Sequence, residues 1–131
     1  MKFETFNRQI IETELDSFEK EFNFNLPESY RKVILAYNGG VPEKPYYDGG
    51  RVLFIPIKYG DLTVETTLEL LKDVLLKNFM PFAEGGDLHY CISFEEDTYG
   101  KIYILLENGE IEEIADSFED FLNELSTIED Y

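Results

Sequence analysis

The chain has 131 residues, 44% apolar and 15% aromatic, enough for one packed domain and too short for two comfortable ones. Its 11 Lys and Arg stand against 28 Asp and Glu, a formal charge of −17; such a field repels phosphate backbones and anionic lipid, so neither nucleic acid nor a membrane surface is expected as a direct ligand. The only cysteine is Cys91, which excludes an intrachain disulfide.

The first residues, Met1 to Asn7, have no apolar run of the kind a leader needs, and no later run reaches membrane-spanning length. A cytoplasmic protein is expected. Ile11, Leu15, Phe18 and Phe22 follow one another at spacings of 4, 3 and 4, which predicts an amphipathic helix that breaks at 23–25. Pro27 suits the first position of a second helix. Tyr30, Val33, Ile34 and Tyr37 give that helix its stripe, and Asn38-Gly39-Gly40 closes it. Residues 41–51, rich in proline, glycine and tyrosine, read as a loop.

Residues 52–57 read as a strand, with Pro56 at its end or on an edge. A third helix is expected over 63–77, with Val64, Leu68, Leu71 and Leu75 as its stripe. The short apolar run 79–83 is a candidate strand, and Gly85-Gly86 a tight turn. Leu88, Tyr90, Ile92 and Phe94 alternate with His89, Cys91 and Ser93, which is the strand period. Residues 101–106 are nearly all apolar, as in a strand covered on both faces. Asn108-Gly109 signals a two-residue hairpin into a strand over 110–115. Ser117 and Asp120 resemble a capping box for a last helix carrying Phe118, Phe121, Leu122 and Leu125. The order predicts a single α+β domain over 1–131: an antiparallel sheet of about four to five strands, two N-terminal helices, one middle helix and a C-terminal helix.

Four segments carry a family likeness. Leu26-Pro27-Glu28-Ser29-Tyr30 with Tyr37-Asn38-Gly39-Gly40, then Phe54-Ile55-Pro56-Ile57, then Met80 to Asp87 leading into Tyr90, and finally Ser117 to Leu122 stand in one order along the chain. In that order they resemble the signature segments of SUKH (Smi1/Knr4-type) domains. The chain departs from that pattern in lacking tryptophan and in a short segment between Ile57 and Phe79. The resemblance implies an α+β fold, a non-catalytic chain and no cofactor. For bacterial members it implies an immunity protein that neutralises a toxin; for eukaryotic relatives it implies a regulatory or scaffold protein.

Other chemistries are weighed on the residues themselves. Asp87, His89 and Cys91 share one face of a strand, but one His and one Cys fall short of the four ligands of a structural zinc site. As a Cys–His nucleophile pair they stand about 7 Å apart, beyond hydrogen-bond reach; a packed Cys and a half-exposed His is the plainer reading. The acidic pairs Glu95-Glu96-Asp97, Glu112-Glu113 and Glu119-Asp120 read as solvated turns and helix surface. A small hydrolase would need such groups in a cleft.

Acid is unevenly distributed: residues 107–131 hold ten Asp or Glu and no Lys or Arg. A basic protein partner, such as a toxin domain with nuclease activity, would be steered to that surface. Tyr46, Tyr47 and Asp48 offer aromatic anchors beside an acid. The expected partner-binding residues are Tyr46, Tyr47, Asp48, Glu84, Asp87, Glu112, Glu113, Glu119 and Asp120, with solvation and loop packing as the alternative.

Overall fold

The computed structural model describes residues 1–128. A two-residue strand, β1 (Phe3–Glu4), leads into α1 (Glu12–Phe22) and α2 (Glu28–Ala36). Three short strands follow: β2 (Val41–Pro42), β3 (Tyr46–Tyr47) and β4 (Gly50–Arg51). The main sheet takes β5 (Leu53–Phe54), β6 (Phe79–Gly85), β7 (Leu88–Ser93), β8 (Ile102–Leu105) and β9 (Ile111–Ala115). A middle helix, α3 (Val64–Leu70), follows β5, and α4 (Phe118–Asn123) follows β9. The five strands lie in the order β5-β6-β7-β8-β9, all antiparallel, which is the α+β architecture expected.

The sheet is covered unequally. On one face Met80, Ala83, Tyr90, Ile92 and Ile102 pack with Leu15 and Phe18 of α1, Tyr30 and Ile34 of α2, and Phe118 and Phe121 of α4. On the other, Phe79, Cys91, Tyr103 and Leu105 form a smaller cluster closed by Leu71 and Leu75. Two apolar faces explain why 101–106 carries almost no polar residue. Among the N-terminal helices, Arg31 of α2 reaches both Asp16 and Glu19 of α1, and the other Glu19 oxygen accepts the Leu26 N–H at 2.8 Å. This clamp sets the angle at which the chain turns from α1 into α2.

Several expectations need correction. Ile11 is not on the buried stripe: it is 59% exposed at the head of α1, and Ile10 is the buried residue. Pro27 caps α2 rather than starting it, and the helix ends at Ala36, before the two glycines. The third helix stops at Leu70, seven residues short of the expected end. Its expected stripe is split: Val64 and Leu68 pack in the main cluster, while turns at 71–75 deliver Leu71 and Leu75 to the second. The regular part of strand 52–57 is Leu53–Phe54, although the run stays close to β6 through Ile55 N–H to Phe82 O at 2.9 Å.

The supposed loop 41–51 holds three strands. β2 pairs with β1. β3 and β4 form a hairpin whose loop is Asp48-Gly49, with φ of 48° and 81°, as a type I′ turn requires. Asn108-Gly109 behaves otherwise: Gly109 N–H bonds Leu106 O at 2.9 Å, and of the two only Gly109 has positive φ. That is a longer loop with glycine at the left-handed position. Pro81 sits inside β6 at a register shift, opposite Cys91 of β7; β5 pairs only with Ala83 and Glu84, so on that side no strand residue stands opposite the missing Pro81 N–H.

Candidate partner-binding site

β9 forms one edge of the sheet, and its alternation separates two residues expected to act together. Glu112 stands opposite Ile104, in the row that continues through Tyr90 and Ala83 on the helix-covered face. Glu113 stands opposite Tyr103 on the other face, where it accepts from the Tyr103 hydroxyl at 3.3 Å and pairs with Lys101 at 3.3 Å. Lys101 also lies 3.8 Å from Asp116. The run 107–131 is free of cations in sequence, yet Lys101, just before β8, neutralises part of it in space.

The carboxylates that do converge meet around Tyr47. A groove of about 410 Å³ runs between β9 and α4, bordered by Glu113, Asp116, Asp120 and Glu124. A second, of about 350 Å³, is lined by Tyr47, Asp48 and Glu124. Glu124 belongs to both and joins them into one acidic trough. The Tyr47 ring is packed inward, 5.3 Å from Phe121 and 6.1 Å from Tyr90 between centroids. Burial raises its hydroxyl pKa, and the carboxylates of Glu124, Asp48 and Glu112 raise it further. Tyr47 therefore stays a neutral donor at the floor of a negatively charged depression, half core and half surface.

The other expected residues are dispersed. Tyr46 is half-buried, its backbone bridged to Ser126 in both directions at 3.0 and 2.7 Å. Glu119 is exposed on α4 and lines neither groove. Glu84 and Asp87 sit at the β6–β7 hairpin, away from β9, with Glu84 4.0 Å from His89 Nε2. Asp116 and Glu124 were missed because acid in a turn or at a helix end reads as plain solvation. The signal that points to them is their nearness to Ser117 and Leu125, which anchor α4.

The Asp87, His89 and Cys91 row makes no reactive centre. Asp87 is exposed in the turn, and burial lowers the His89 pKa. Cys91 is fully buried, and desolvation pushes its thiol up to about 12, so it stays protonated and inaccessible at neutral pH. Among the described residues no three His, Cys, Asp or Glu side chains are grouped to hold a metal ion, and no helix is long and apolar enough to cross a membrane.

The profile of the SMI1 / KNR4 family (SUKH-1) matches residues 10–124. The chain belongs to this family. No curated protein sequence matches it. In this SUKH-1 chain the signature segments turn out to be scaffold. Leu26 and Tyr30 are core residues. Asn38, 2% exposed, donates to Arg8 O at 2.9 Å and Ile57 O at 2.8 Å and accepts the Ile57 N–H at 2.8 Å. It thereby ties the end of α2 to the first strand segment. Gly40 has φ 117°, and a Cβ there would lie 2.2 Å from Glu4 O, so only glycine lets β1 approach. The acidic trough lies largely outside these SUKH-1 segments, sharing with them only Asp120.

Proposed function

We propose that this chain is a non-catalytic immunity protein that binds a basic toxin domain one to one and blocks it. The observation that carries the reading is the convergence of Asp48 and Glu124 beside Tyr47, at one end of a trough that Asp116 and Asp120 continue. Family membership supports it, since the family's domains are in general immunity-like and partner-binding. A trough of carboxylates over an aromatic floor suits a guanidinium or ammonium group, by charge and by ring contact. Long-range attraction from the −17 charge would speed encounter.

The test starts with a tagged pull-down from the native cell, eluted by a salt step, to obtain the partner. Association is then timed for the wild type and for Glu112→Lys/Asp120→Lys/Glu124→Lys. The expected result is a slower on-rate, by roughly tenfold or more at low salt, and a flatter salt dependence. Glu96→Lys serves as the control, because Glu96 is exposed in the turn after β7 and lines neither groove. An unchanged on-rate in the triple variant discards the trough as the binding surface.

A regulatory scaffold that joins cellular proteins is the second reading. It is favoured by a separate surface on the opposite edge of the sheet, described next.

A further inference from the structure

β5 forms the edge of the sheet opposite β9. There, an open groove of about 200 Å³ lies between the segment after β1, β5 and the loop before α3. Phe6, Leu53 and Leu62, which are 66%, 37% and 36% exposed, all line it, over a floor that includes Pro56. Asp61 and Glu84 stand in the same wall, and no Lys or Arg does. Exposed apolar side chains gathered in one place with a polar rim mark an interaction surface.

We propose that this groove docks an extended segment of a partner protein through one aliphatic or aromatic side chain placed beside a Lys or Arg. The volume favours one anchoring side chain over a small molecule, whose pockets run to ~300–1,000 Å³ and converge several polar groups. The rim charge sets the sign of the neighbours, because Asp61 and Glu84 meet no cation in the groove wall. Strand addition does not fit. Gly40 already occupies the outer side of Phe54, with N–H to O bonds in both directions at 2.9 Å. The floor is therefore closed and rigid, and recognition falls to side chains. The groove flanks β5 and the β9–α4 part of the trough flanks the opposite edge, and the two share no lining residue, so the two surfaces can be tested separately.

The test is a titration of the full ¹⁵N-labelled chain with a capped lysine–leucine–lysine peptide, followed by amide chemical shifts. Glutamate–leucine–glutamate and lysine–serine–lysine peptides are the comparisons. The expected result is saturable shifts at Leu53, Ile55, Asp61 and Leu62 with the first peptide alone. Asp61→Lys and Leu62→Ser, both at exposed positions, should each weaken binding about fivefold, and Phe6→Ser provides a third variant should either fail to fold. Glu124→Lys should leave it unchanged. Three outcomes overturn the proposal: shifts confined to β9 and α4, equal binding of the acidic peptide, or no shifts with any peptide. Shifts that depend on protein concentration alone would assign the groove to a second copy of the chain and overturn it too. None of these results bears on the on-rate measurement at the trough.

Discussion

Asn38 and Tyr30 show how differently two buried polar side chains can weigh on one core. Asn38 satisfies three backbone groups, two of them on Ile57. Its replacement by alanine would leave those groups without partners in a dry site. Asn38→Ala should lower unfolding stability by about 3 kcal/mol, read as a lower urea midpoint at unchanged slope; a loss near zero would mean that the tie is dispensable. Tyr30 is the opposite case. It is fully buried against Phe82 and Phe118, and its hydroxyl finds no hydrogen-bond partner among the described residues. Burial, with Glu65 adding to it, drives its pKa upward. Tyr30→Phe should raise stability by about 1 kcal/mol, and a loss in the same urea experiment would reveal a partner for the hydroxyl. Both residues sit in the family-like segments, so the pattern visible in the sequence is mainly one of packing and backbone ties.

At the scale of elements, α1 is fastened to the loop after β5 by Glu14, which holds Lys58 Nζ at 2.7 Å and the Tyr59 hydroxyl. These partners lower the Glu14 pKa from 4.5 to about 2. The sign follows from linkage: the unfolded chain takes up this proton first, so the contribution is whole above pH 4.5 and disappears as pH falls through about 2. Glu14→Gln should remove that part of the acid-side decline in a melting series; an unaltered decline would assign it to other groups. Element types were legible wherever one side-chain period ran long enough, as in 12–22 and 88–93. Ends were not. Nothing in Val64 to Leu75 shows that turns, rather than helix, carry Leu71 and Leu75 onto the second face. β1 and β2 are two residues each and depend on a contact across the chain that no local pattern displays. Asp48-Gly49 was readable as a type I′ turn and was hidden by the prolines and glycines around it.

For the whole molecule, charge is the dominant uncompensated quantity. At −17 the folded chain repels itself, and screening should help it. Raising salt from about 0.01 to about 1 M shortens the Debye length from roughly 30 to 3 Å and should raise Tm by roughly 4 °C. A flat or falling Tm would show that pairs such as Arg31 with Asp16 and Glu19 outweigh the repulsion. The candidate surface was only half legible for a related reason. Composition shows how much acid the chain carries, but the fold decides that Glu112 stands opposite Ile104 while Glu113 meets Lys101 at the border of the β9–α4 groove. Cys91 adds a last consequence. It is the chain's only thiol and is sealed in β7 beneath the second cluster, so a thiol reagent can reach it only when the sheet parts. Labelling under native conditions therefore works as a stopwatch for that opening: at high reagent concentration its rate should level off at the opening rate itself, and a rate that keeps climbing would mean that the reagent enters without it.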